Sequence, residues 1–270
     1  MIKIHAMRCG TVGTDETIPD RSKSKNPYAY TGVLRGERHR VWLPVYAYLI
    51  EHPKGRILVD TGWHTDVRNN QKKHLSWKIN IASKAILPAG EAISEQLHAR
   101  GLSASDIDIL LLTHLDVDHA SGLSIVKDAK AIYAGKDELE AVANGDIRYN
   151  KKLWEGIGIQ PAPMTQNADF PHNEAWDVFG DETVYFVNLA GHSAGMIGVL
   201  IKNNGKYVIL TGDACYNRHN WEDGKLPGIT ADVKKAKKSV EWVAKMSKSP
   251  NCVEILATHD AEVVPHLIDL

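Results

Sequence analysis

Short apolar runs rich in β-branched residues recur along the chain at Val45–Ile50, Arg56–Val59, Ile107–Thr113, Thr183–Leu189, Met196–Ile201, Tyr207–Thr211 and Val253–Thr258. Runs of this kind, bounded by turn residues, predict strands. The opening MIKIHAMRCG alternates apolar with polar positions and predicts a first strand. Between the runs the apolar spacing becomes helical: Glu91–Arg100, with Ile93 and Leu97 inward and Gly101 as the stop; Lys136–Ala143; and Ala231–Lys248, ended before Pro250. Val45–Ile50 and Arg56–Val59 flank a His-Pro-Lys-Gly turn and predict an antiparallel hairpin. The mixture predicts sheets faced by helices. Gly10–Arg40, Trp63–Gly90 and Asn144–Asp181 show weak periodicity and are expected to be irregular, the last two as binding loops or lids. Their aromatics, Trp63, Trp77, Trp154, Phe170 and Trp176, are expected to form satellite packing under those loops. The lysines of Lys234–Lys238 interrupt a helical apolar stripe and are expected to be a solvated face.

Composition narrows the classes. Lys and Arg number 32 against 33 Asp and Glu, a formal charge of −1, which disfavours a nucleic-acid partner. No apolar stretch approaches the roughly 20 residues of a membrane-spanning helix, and the start does not read as a signal peptide. Cys9, Cys215 and Cys252 are too scattered for a disulfide framework or a zinc knuckle, so a reducing, cytoplasmic setting is expected. No linker or repeat divides the 270 residues, and one domain over residues 1–270 is expected. A homodimer is left open.

The unusual count is 13 His. In Ile107–Gly122 an apolar strand ends at Thr113 and is followed at once by His114, Asp116, Asp118 and His119, with a helix expected from near Ala120. Imidazole and carboxylate at that spacing suit two divalent ions side by side. The plainer reading, a polar loop with an N-cap, leaves several ionisable groups beside an apolar strand without partners, which is costly. Three more strands end on a polar residue, at His192, Asp213 and His259, and Gly191 and Gly212 are expected to let the backbone approach the ions.

LVDTG at 58–62, THLDVDH at 113–119, GHSAG at 191–195, TGD at 211–213 and THD at 258–260 together resemble the motif series of the metallo-β-lactamase superfamily, in order. The resemblance implies an α/β (α+β) fold, an αββα sandwich of two mixed sheets flanked by helices, with metals at one edge. It implies that His114, Asp116 and His192 hold one metal, that Asp118, His119 and His259 hold the other, and that Asp213 bridges. Tyr216, third after Asp213 in GDACY, is similar to a tyrosine of the N-acyl homoserine lactone lactonases that reaches toward the substrate carbonyl. One departure stands out: the common pattern is HxHxDH, and Asp116 replaces the middle His. An added carboxylate shifts preference from zinc toward iron or manganese without excluding zinc. The flavodiiron relatives carry a carboxylate there, together with a flavodoxin domain that this chain is too short to contain.

The function so implied is a metal-dependent hydrolase in which a hydroxide held by two divalent ions, zinc first among them, opens an N-acyl homoserine lactone or related lactone. Tyr216 would stabilise the oxyanion and Asp118 would pass a proton to the leaving alkoxide. Alternatives are thioester, phosphodiester or β-lactam hydrolysis by the same chemistry, a diiron redox protein, and a metal binder without activity. Gly191–Gly195 also matches GxSxG, but a strand follows Ser193 where a nucleophile elbow needs a helix. Cys215 is expected to point away from the site and pack.

Overall fold

The computed structural model describes residues 1–270, apart from the side chains of Trp77 and Lys78. The first seven strands are β1 (Lys3–Asp15), β2 (Arg40–His52), β3 (Gly55–Val59), β4 (Lys84–Ile86), β5 (Ile109–Leu111), β6 (Ile132–Ala134) and β7 (Gln160–Pro161). Seven follow: β8 (Thr165–Gln166), β9 (Glu174–Asp177), β10 (Val184–Asn188), β11 (Ile197–Asn203), β12 (Lys206–Leu210), β13 (Cys252–Leu256) and β14 (His266–Asp269). The helices are α1 (Val67–Leu75), α2 (Trp77–Ala82), α3 (Ile93–His98), α4 (Val117–Ala120), α5 (Lys136–Ala143), α6 (Arg218–Glu222) and α7 (Val233–Met246).

One sheet runs β14-β1-β2-β3-β5-β6-β7, with β4 on β1, and the other runs β13-β12-β11-β10-β9-β8. Both are mixed. The hairpin is antiparallel with Tyr48 opposite Val59, as expected, whereas β3, β5, β6 and β7 run parallel, as do β12 and β13. The unbroken apolar run in β2 follows from burial on both faces. Tyr46, Tyr48 and Ile50 pack between the sheets with Phe186, Val199 and Leu210, while Val45, Ala47 and Leu49 pack toward the helices with Trp63, Leu75, Ile93 and Leu97. On the far side of the second sheet, Tyr185, Val187 and Leu200 adjoin Trp242 and Met246 of α7. The layers are helix, sheet, sheet, helix, the αββα sandwich implied by the motif series.

The three segments expected to be irregular carry more structure than their patterning shows. β1 continues through Gly10 to Asp15 along β2, α1, α2 and β4 lie within Trp63–Gly90, and β7, β8 and β9 lie within Asn144–Asp181. Strands of two to four residues are too short to display a period. The satellite reading fails for three of the aromatics: Trp63 is fully buried and shares the main cluster with Trp154, and Trp176 packs against the core between the sheets, while Phe170 packs on the smaller cluster beside α7. Trp77 lies outside the described side chains. In α7 the side chain of Asp232 caps the N–H groups of Lys234 and Lys235, and Ala236, Val240 and Val243 face inward. The lysines there are exposed, as expected.

Candidate metal centre

All seven expected ligands meet at one edge of the sandwich, beyond the C-terminal ends of strands from both sheets. The loop after β5 supplies His114 and Asp116. It does not continue to a helix near Ala120: α4 begins at Val117, closed by the N–H of Ala120 on the Asp116 carbonyl at 2.9 Å, so Asp118 and His119 stand on its one turn. The loop is braced from three directions. The Thr113 carbonyl accepts from Ile197 N–H at 2.9 Å, the His119 carbonyl accepts from Thr61 N–H at 2.9 Å, and buried Glu138 accepts from Leu115 N–H at 3.0 Å and Gly195 N–H at 3.1 Å.

Each of the four imidazoles has its Nδ1 engaged. His192 Nδ1 faces the Ile229 carbonyl at 3.0 Å and His259 Nδ1 faces the Pro44 carbonyl at 2.7 Å. A carbonyl only accepts, so both Nδ1 atoms donate. His119 Nδ1 lies 2.8 Å from the Asp60 carboxylate, and His114 Nδ1 lies 3.1 Å from Thr113 Oγ1. Every Nε2 therefore points inward, the orientation imposed on metal-binding histidines by such partners.

The donors fall into two sets about Asp213. Oδ1 lies 3.2 Å from His119 Nε2 and 3.3 Å from His259 Nε2, and Asp118 Oδ2 completes that set 3.4 Å from His259 Nε2. Oδ2 lies 3.9 Å from His114 Nε2 and 3.7 Å from His192 Nε2, each of which is 3.3–3.4 Å from Asp116 Oδ2. Donors about 3.3–3.5 Å apart are the edges of a tetrahedron with bonds of about 2.0–2.1 Å, the bond length of zinc to nitrogen. Buried His114 Nε2, His119 Nε2 and Asp213 Oδ1 have no hydrogen-bond partner. Orphaned buried atoms are costly, and divalent ions would satisfy all three. The residues fit a two-ion centre.

Tyr216 lies beside both sets, stacked on His259 with ring centroids 4.9 Å apart and edge-on to His192 at 5.9 Å. Its N–H donates to Asn220 Oδ1 at 2.7 Å, and buried Asn220 is tied in turn to the Pro19 and Lys225 carbonyls. Burial first, then the Asp213 charge, push the phenol well above its ordinary value, so it remains a neutral donor. Cys215 packs with Val240, Val243 and Ala257, away from the donors as expected.

Gly191 and Gly212 each sit against a neighbouring element. A Cβ on Gly191 would stand 2.1 Å from the Ala236 backbone nitrogen, and one on Gly212 would stand 3.2 Å from Thr113 Cβ. These glycines, at φ +138° and +51°, let α7 and the Thr113 strand end approach. Ser193 Oγ is buried without a partner, and β11 follows it, so no nucleophile elbow forms.

Sequence reasoning missed Asp60, Glu138 and Arg148. Asp60 lay in the LVDTG motif without an assigned role. Arg148 had no signal except a physical one: a carboxylate in place of a histidine calls for a cation. Its Nε donates to Asp116 Oδ1 at 2.6 Å and its Nη2 to Oδ2 at 2.5 Å, while Nη1 donates to the His192 carbonyl at 2.7 Å. Burial opposes ionisation of Asp116, but Arg148 outweighs it and holds the carboxyl well below the usual range. The extra negative charge expected to favour iron or manganese is thus offset by a fixed positive one.

A separate trio, His64, Asp66 and His74, also lies close together. There the His64 Nδ1 already accepts from Asp66 N–H at 3.0 Å, and the arrangement is a hydrogen-bonded turn beneath two stacked rings.

The metallo-beta-lactamase superfamily description matches residues 40–251, which hold six of the seven donors, with His259 beyond. The chain belongs to the metallo-β-lactamase superfamily. It is 26% identical over 227 residues to the N-acyl homoserine lactonase AttM of Rhizobium radiobacter, covering 82% of this chain and 81% of that one. To the N-acyl homoserine lactonase AiiB of Agrobacterium fabrum it is 28% identical over 247 residues, 84% and 83% of the two chains. Among solved structures, an N-acyl homoserine lactone hydrolase with N-hexanoyl-L-homoserine at its catalytic metal centre matches at TM-score 0.75 and 23% identity, over 96% of this chain and 94% of that one. That likeness shows the shared fold. Family and relatives together make the chain a metallo-β-lactamase-fold hydrolase.

Proposed function

We propose that this hydrolase is a metal-dependent lactonase that opens N-acyl homoserine lactones or related lactones, with zinc at a two-ion centre. The observation that carries the reading is the placement of Asp213 between two sets of inward imidazoles, with the neutral Tyr216 stacked at their edge. His114, Asp116 and His192 would hold one ion, Asp118, His119 and His259 the other, and Asp213 both. Bound there, divalent ions would lower the pKa of a water from 15.7 to about 7 and polarise the lactone carbonyl.

The remaining work falls to side chains. Tyr216 donates a hydrogen bond to the carbonyl oxygen as it gains charge. Asp118, 14% exposed against 2% for Asp213, stands nearer to solvent and can take a proton and return it to the ring oxygen as the acyl C–O bond breaks. Water is added across that bond, giving a hydroxy acid. The named lactonase relatives, covered over four-fifths of their length, support the substrate class.

The test is a substrate panel on metal-replete protein: acyl homoserine lactones of several chain lengths, a thioester, a phosphodiester and a β-lactam. Ring opening of the lactones with the highest kcat/KM is the expected result. A preference for another class by tenfold or more would replace lactone with that class.

A further inference from the structure

Asp116 and His192, two of the donors of the first set, are already satisfied by a cation of the chain itself. Arg148 grips both oxygens of Asp116, and the same Nη2 lies 2.6 Å from His192 Nε2. Because His192 Nδ1 faces a carbonyl and must carry its proton, Nε2 has a single in-plane lone pair. That lone pair can accept an N–H or bind a metal, not both. A guanidinium stays protonated and cannot itself ligate. Among the described residues the second set has no such occupant: no Arg or Lys nitrogen there pairs with Asp118 or Asp213, and two orphaned atoms, His119 Nε2 and Asp213 Oδ1, lie in it against one, His114 Nε2, in the first.

We propose that Arg148 is the resident cation of the first site, so that an ion enters it only as the guanidinium releases His192, and the second site fills first and more tightly. The exchange breaks an N–H···N hydrogen bond and forms a metal–nitrogen bond, with no proton released by Arg148. On the segment bearing Arg148, Tyr149 and Leu153 are buried in the core, while Ile147 on the other side is 88% exposed. The inference rests on the two-ion reading of the site and adds an order of filling.

Zinc titration of the metal-free chain against a chromophoric chelator tests it, with stoichiometry checked by elemental analysis. The natural chain should show two classes of site separated by tenfold or more in affinity. Arg148→Gln, which removes the charge at similar length, should tighten the weaker class by tenfold or more and leave the stronger one unchanged. Arg148→Lys, which keeps the charge without the fork, should fall between. Two equal sites in the natural chain would overturn the proposal, whether or not the variants fold, as would an unchanged weaker class in a folded Arg148→Gln chain. Zinc at neither site would overturn the two-ion reading as well. Zinc binding of the expected pattern without lactone opening would overturn only the substrate assignment.

Discussion

At the residue scale, the centre is an arrangement of ring orientations. Four imidazoles present Nε2 because carbonyls, a carboxylate and a hydroxyl hold their Nδ1 atoms, and all of those partners except the neighbouring Thr113 come from distant parts of the chain. Tyr216 is placed differently, by stacking on His259 and by the backbone grip of Asn220. Tyr216→Phe should therefore lower kcat for lactone opening by about 10²-fold, the scale for losing an oxyanion donor, with metal content unchanged. Equal activity, or loss of metal in parallel with activity, would refute the assigned role. The donor residues were legible in the sequence because each lies in the loop or single helical turn that follows an apolar strand. Arg148 was not, since its contact with Asp116 spans 32 residues and no local pattern encodes it.

At the element scale, the long runs declared themselves and the short pieces did not. β10, β11, β12 and α7 follow their apolar patterns closely, β2 extends beyond its Val45–Ile50 run to Arg40–His52, and β7 and β8 have only two residues each. α3 shows how side-chain chemistry trims a helix: the pattern over Glu91–Arg100 narrows to Ile93–His98. Glu95 accepts from the N–H groups of Gly90 and Ala92 and from both Nη atoms of Arg68. The Arg68 hydrogen bonds first, then the backbone ones, lower its carboxyl from 4.5 to about 2. A depressed folded value adds stability above the unfolded value and loses it as pH falls through the folded one. Glu95→Gln should cost about 1 kcal/mol near neutral pH, the scale of a lost cap with its ion pair screened by water. Denaturant unfolding should show the gap between variant and parent closing as pH falls from 4.5 to about 2. A gap independent of pH would contradict the capping role.

At the scale of the whole molecule, the site exists because two sheets end their strands at the same edge. β5 of the first sheet and β10, β12 and β13 of the second each lead into a loop bearing donors. The Thr113–Ile197 hydrogen bond joins the sheets directly beneath them. The order of the five motifs made this architecture legible. The layering of Trp63 and Trp154 into the main core was not, because aromatics in weakly periodic segments give no direction. Among the described residues no helix is long and apolar enough to cross a membrane. The central claim is that hydrolysis runs on metal held by this edge. Its most direct test is lactone opening by one sample before chelation, after chelation and during zinc return, with metal measured at each stage. Activity should vanish on chelation and return to a plateau near two ions per chain. Lactone opening undiminished in metal-free protein, or none at full metal occupancy, would contradict the account.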